Sequence, residues 1–255
     1  MLTLRSVSIV TGLLLLPPML FAVDGVVLIN QTNALAGNVT PGDTPGFPVT
    51  ITQPGSYRLS SNLNLGYPGA IDIESDNVTI DLNGFSIIGG GICYVDVNGV
   101  FTCEGLGGAG IFTTSSAGYS NITIRNGFIV NIYGAAAIYC PPCNDVLVDH
   151  IQFNSDSESV NVVNGTNVVI RDCVMTNTGG LYISNGVTEG VVLGANAIGM
   201  GGTSLTVRDS VFISNHAPSF SSGQIVGFSG DSFLLESAPA SGFSLGQNTL
   251  GGIIW

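Results

Sequence analysis

Few residues in this chain carry side chains suited to moving protons or holding metals. Among 255 residues there are two histidines and 17 acids. His150 directly follows an aspartate in "VLVDHIQF", Val146 to Phe153, so Asp149 and His150 form a candidate acid–base pair. Asp149 is also the one candidate metal ligand. Two further acids, Asp172 and Asp209, each follow an arginine, in "IRDCVM" and "VRDSVF". Paired carboxyls are what glycoside hydrolysis requires, at about 6.5–9.5 Å apart in inverting enzymes. Asp149, His150, Arg171, Asp172 and Asp209 are therefore the candidate catalytic set. Whether they act depends on the elements that would bring them together.

Those elements are announced by a repeat. Apolar–polar–apolar triplets recur at Val78-Thr79-Ile80, Ile122-Thr123-Ile124, Val146-Leu147-Val148, Val168-Val169-Ile170 and Val191-Val192-Leu193. A second column runs through Ile71, Ile111, Ile138, Val160 and Tyr182. Alternation of period two argues for strands, and β-branched residues suit them. One shared spacing in two staggered columns predicts a coil whose laps must stack to bury their apolar faces. With "VVLGANAI" as the lap between them, Asp172 and Asp209 stand two laps apart, at about 10 Å for parallel strands spaced ~4.8 Å.

Two features of the repeat compete with the catalytic reading. Each triplet is preceded by Asn77, Asn121, Asp145, Asn167, then Gly190 and Ser204, which predicts an amide ladder at a left-handed corner. Directly after the triplets come Asp81, Arg125, Asp149, Arg171 and, past an irregular stretch, Arg208. Alternate signs one lap apart form either a catalytic row or a register device, in which each exposed pair contributes ~0–1 kcal/mol.

One lap is interrupted by "GGGICYVDVNGVFTCEGLGGAG", Gly89 to Gly110. A hairpin turning at Val97-Asn98-Gly99 would set Cys93 opposite Cys103, and a disulfide is expected there in an exported chain. Cys140-Pro-Pro-Cys143 lacks the second pair that a zinc site would need. It is left as a local disulfide or as two cysteines pairing elsewhere, and Cys173 in "VVIRDCVM" as a buried free thiol.

The N-terminus reads "MLTLRSVSIVTGLLLLPPMLFA", the layout of a secretory signal with cleavage near Ala22. Pro17-Pro18 interrupts the apolar run, which argues against a membrane anchor. The five basic residues are all arginine, and removing residues 1–22 takes away Arg5 and no acid, leaving a net charge of −13. Such a field repels nucleic acid and uronate polymers. The mean hydropathy of +0.47 is high for a chain expected to be exported without a membrane span. Residues 23–47 are expected to cap the stack, 48–215 to form it with residues 89–110 inserted, and 216–255 to close it. Trp255 is either a plug or a docking residue.

The line "DNVTIDLNGFSI", Asp76 to Ile87, resembles secreted bacterial β-helix repeat proteins of the pectin-lyase-like superfamily. The resemblance spans roughly residues 48–215 and implies an all-β, single-stranded right-handed parallel β-helix of about seven turns. "VLVDHIQF" is similar to the Val-Trp-Ile-Asp-His segment of pectate lyases, which implies calcium at Asp149. Leu147 replaces the tryptophan, however, and the family's lysines and proton-abstracting arginine motif have no counterpart. The expectation is a secreted or periplasmic non-catalytic module recognising a neutral polysaccharide or cell-surface glycan. The alternative is a polysaccharide hydrolase or lyase with its cleft beside the hairpin. An enzyme would place two acids with a histidine or arginine in that cleft; a binder would show an aromatic platform.

Overall fold

A computed structural model describes residues 25–193, apart from 66–68, 98–99, 106 and 184–185, and beyond them only the backbone of strand segments. The chain is all-β with almost no helix. Among the described residues the strands form a 17-stranded sheet, a nine-stranded sheet and a two-stranded ribbon, with no closed barrel. Except in the ribbon and the last pair, Thr249–Leu250 with Ile253–Ile254, all pairing is parallel. This arrangement is compatible with a β-helix solenoid. The single described helix, Gln31–Ala36, is held by a capping box in which Asn30 and Asn33 each accept from the other's backbone. No helix among the described residues is long and apolar enough to cross a membrane.

Three apolar columns run through the stack. In the first, Tyr57, Ile80, Ile124, Val148, Ile170, Thr188 and Val207 are successive register partners. In the second, Leu63, Ile87, Ile129, Phe153, Met175 and Leu193 follow one another. The nine-stranded sheet supplies the third, from Val49 through Ile71, Ile111, Ile138 and Val160 to Leu181. From Val49 to Thr188 the members of these columns are at most 2% exposed. Parallel strands buried on the inner face need branched apolar side chains at each level, which the repeat provides.

The corners between columns fall in the left-handed region, as the asparagine pattern requires. Asn77, Asn121, Asp145 and Asn167 have φ of 58°, 60°, 52° and 54°. Asn121 Nδ2 donates to Asn77 Oδ1 at 2.8 Å, and Asn167 Nδ2 to Asp145 Oδ1 at 2.7 Å.

Three expectations are corrected. Val191-Val192-Leu193 is not the lap above Val168. That place belongs to Gly186–Glu189, whose Gly186, Val187 and Thr188 pair with Val168, Val169 and Ile170. Val192 and Leu193 instead lie on Val174 and Met175 in the second column. The lap is hidden because Gly186 and Thr188 occupy apolar places. Gly186 is needed there, since a Cβ would meet the Val168 carbonyl oxygen at 2.5 Å. In the third column the partner of Val160 is Leu181, and Tyr182 pairs with Asn161 on the outer side. Gly190 therefore leaves the amide ladder and joins a later corner; Ser204 lies outside the described residues.

The insertion is an antiparallel ribbon, Gly91–Val95 with Phe101–Gly105. Cys93 is directly opposite Cys103, with Cα atoms 4.1 Å apart and sulfurs at disulfide distance. Cys140 and Cys143 form a second pair at disulfide distance, and Cys173 is free and buried. Burial pushes the Cys173 thiol up to about 12, so it stays protonated and inert. Two such pairs point to an oxidising compartment. Residues 1–22, Asp209, His216 and Trp255 lie outside the described residues.

Candidate functional site

The Asp–His motif sits at a corner of the 17-stranded sheet. Strand Asn144–Asn154 passes through it without a break, and His150 takes φ 54°. Asn126, Asp172 and Gly190, each one residue past the charge row, take φ of 61°, 50° and 61°. Asparagine, aspartate, histidine and glycine are the residues that best tolerate this conformation. The corner thus accounts for the identities of His150 and Asp172 without any chemistry.

Arg171 dominates the electrostatics there. Its Nε and Nη2 donate to the two oxygens of Asp149, both at 3.0 Å, in the bidentate geometry that makes such pairs strong. His150 Nδ1 lies 2.8 Å from Asp149 Oδ1, while His150 Nε2 and Arg171 Nε are each 3.8 Å from Asp172 Oδ2. The hydrogen bond from Arg171 holds the Asp149 carboxyl below its usual range, against the opposing effect of burial. A carboxylate held ionised with both oxygens engaged is a poor proton carrier at neutral pH.

Asp149, His150 and Asp172 bring one donor atom each within 4.8 Å of one another. They do not fit the calcium ion that the resemblance implies. Calcium takes six to eight oxygen ligands, whereas this set offers one nitrogen and two carboxylates, with the Arg171 guanidinium already seated on Asp149.

The charge row is longer than its sequence signature. Register pairing runs Arg58, Asp81, Arg125, Asp149, Arg171, Glu189, Arg208, with the sign alternating at every step. All four arginines beyond Arg5 stand in it. Asp81 Oδ2 lies 3.3 Å from Arg125 and 3.9 Å from Arg58. Arg58 and Glu189 escaped the sequence reading because the triplets before them contain glycine and serine or threonine. Glu189, not "VVLGANAI", separates Arg171 from Arg208. The whole row reads as a register device.

A different place has the shape of a binding site. Two adjoining grooves of 690 and 580 Å³ share Gly134, Ala135 and Tyr139 on the outer side of the nine-stranded sheet. They lie beside the ribbon, whose Gly91 packs so tightly on Tyr133 that a Cβ would strike it. Along their floor runs one register row, Asp72, Phe112, Tyr139 and Asn161, which Tyr182 continues one rung past the lining residues. Neighbours in this row are about 4.8 Å apart. Tyr139 is 38% exposed, and Phe112, Asn161 and Tyr182 are half-buried.

The row's polar members are incompletely satisfied. Asp72 is 6% exposed; its Oδ2 accepts from Thr114 Oγ1 at 3.3 Å, and its Oδ1 has no partner. Burial, reinforced by the charge of Glu74, pushes its carboxyl up. Asn161 donates to Glu158 Oε2 at 2.9 Å and leaves its own Oδ1 without a partner. Burial and then Glu158 push the Tyr182 hydroxyl up.

Neither groove is lined by histidine or arginine among the described residues. Its two acids, Asp72 and Glu158, are three rungs apart, about 14 Å of stack. That exceeds the separation of a hydrolytic pair. The described catalytic candidates, Asp149, His150, Arg171 and the adjoining Asp172, belong to the other sheet. Each row member follows a member of the third column, Ile71, Ile111, Ile138, Val160 or Leu181, but its own residue type does not mark it in the sequence. Comparison of the chain with protein-family models, curated proteins and solved structures returned no match.

Proposed function

We propose that this chain is an exported right-handed parallel β-helix of the pectin-lyase-like type that binds a polysaccharide strand without cleaving it. In this reading residues 1–22 direct export, 23–47 cap the stack, 48–215 form it, and 216–255 close it. The ligand lies along the row from Asp72 to Tyr182, with its rings against Phe112, Tyr139 and Tyr182. The observation that carries the proposal is the coincidence of an open groove, an aromatic row at rung spacing and two polar oxygens without partners. Sugar sites combine an apolar face with a few placed polar groups in this way. Uronate polymers are disfavoured, because the groove offers carboxylates and no cation.

The catalytic alternative loses support on three counts. The groove's acids are too far apart, no histidine or arginine lines it among the described residues, and Asp149 is committed to Arg171.

Affinity electrophoresis through gels containing glucans, xylans, galactans or polygalacturonate tests the proposal. At least one neutral polysaccharide should retard the protein, polygalacturonate should not, and no reducing ends should appear. Tyr139→Ala should weaken the retardation about tenfold, as expected for an aromatic contact worth ~1.4 kcal/mol. Unchanged retardation of that variant, or turnover of any polymer, would refute it.

A further inference from the structure

The groove carries charge of one sign. Asp72 and Glu158 line it and Glu74 acts on Asp72, while Arg58, Arg125 and Arg171 stand in the row on the other sheet, with Arg208 next in its register. An enclosed carboxylate without a cationic partner is costly, and proteins offset that cost by pairing it. Among the described residues Asp72 has no such partner. Its Oδ1 is enclosed and without a hydrogen-bond partner, and the carboxyl is met only by neutral donors, the hydroxyl and backbone of Thr114.

The neighbours of both acids are aromatic. Phe112 is the next residue in register after Asp72. At the far end Glu158 stands among Tyr139, Tyr133 and Asn161, with Tyr182 close enough to feel its charge. A carboxylate beside aromatic faces is the setting that attracts an organic ammonium group, through ion pairing and the negative face of the ring together. A hydroxyl satisfies an acceptor but leaves the charge uncompensated.

We infer that the ligand is an amino-sugar polymer with free amines, of the glucosamine type, whose ammonium groups are received by Asp72 at one end of the row and Glu158 at the other. This rests on the reading of the groove as a polysaccharide site and names the class of sugar it selects. The rings lie on Phe112 and Tyr139, and the two acids, three rungs apart, engage different units of one strand. N-acetylation removes the charge and adds bulk, so acetylated polymers are rejected.

Calorimetry on the purified chain with four hexamers tests the inference: glucosamine hexamer, N-acetylglucosamine hexamer, cellohexaose and hexalysine. Glucosamine hexamer should bind at least tenfold more tightly than the other three. Asp72→Asn should abolish that preference, and Glu158→Gln, an independent isosteric change, should reduce it, with the fold of each variant confirmed by circular dichroism. Equal affinity for glucosamine hexamer and cellohexaose, or a preference surviving in both variants, would overturn the amino-sugar assignment alone. Hexalysine binding as tightly as glucosamine hexamer would overturn it too, showing attraction to net charge without a sugar site. If no hexamer binds, the polysaccharide reading falls with it.

Discussion

Replacing Asn121 by alanine and by glycine separates the two ways its corner stabilises the stack. Asn121 sits at φ 60° and donates to Asn77 Oδ1 at 2.8 Å. Alanine loses the hydrogen bond, about 1 kcal/mol net, and keeps the Cβ in the left-handed region without the short polar side chain by which asparagine offsets its cost there, a further ~1–2 kcal/mol. The total is roughly 2–3 kcal/mol, or about 4–12 °C in melting temperature for a chain of this size. Glycine loses the same bond but carries no Cβ. Its cost is the hydrogen bond plus ~0.5–1 kcal/mol of chain entropy, roughly 1.5–2 kcal/mol in all. Thr123, two residues on in the same strand, pairs with Thr79 and Leu147 in extended backbone and serves as the control. There glycine should be worse than alanine. The diagnostic is the inversion: Asn121→Gly milder than Asn121→Ala, but Thr123→Gly harsher than Thr123→Ala, measured by thermal and urea denaturation. The same order at both positions would refute the conformational argument for the asparagine ladder.

Three further outcomes are expected. Phe153→Ala, at a core position paired with Ile129 and Met175, should cost about 3–5 kcal/mol, whereas exposed Gln152→Ala should change stability by no more than ~0.5 kcal/mol. Asp156 is fully buried and its carboxyl is pushed well up by burial, so the folded state holds a proton that the unfolded chain releases. Stability should therefore fall as pH rises above the ordinary carboxylate range, and Asp156→Asn should reduce that slope in denaturation measured across pH. Asp149 works with the opposite sign: its lowered pKa contributes stability that is present above the unfolded carboxylate value and lost as pH falls. Asp149→Asn should weaken this acid-limb loss in the same experiment, and should leave retardation by polysaccharide unchanged, because Asp149 is remote from the groove row.

Much of the architecture was legible because burial leaves a periodic signature. Where a lap used branched apolar residues, as at Ile124, Val148 and Ile170, the register read directly from spacing. The signature failed where packing demanded something else. Gly186 lies against the Val168 carbonyl and Thr188 replaces an aliphatic residue, so the apolar pattern is strongest at Val191-Val192-Leu193, whose last two residues belong to the second column. Arg58 and Glu189 were missed for the same reason. The Asp–His pair attracted attention because its residue types are chemically versatile, yet left-handed corners select those types on conformational grounds. The groove was the least legible feature. Its row mixes aspartate, phenylalanine, tyrosine and asparagine, with no composition to flag it. Its members come from laps of unequal length, including the one interrupted by the ribbon. Only the partnering of strands makes them neighbours.

Charge row, corner ladder and groove all rest on parallel laps stacked in register. Nitroxide labels on the outward positions Thr79, Thr123, Leu147 and Val169, successive partners along one face, test this by electron paramagnetic resonance. Measured from Val169, the distances to Leu147, Thr123 and Thr79 should increase by about 5 Å per rung. Distances that scale with separation along the chain, or that fail to rise in equal steps, would contradict the stack and everything built on it.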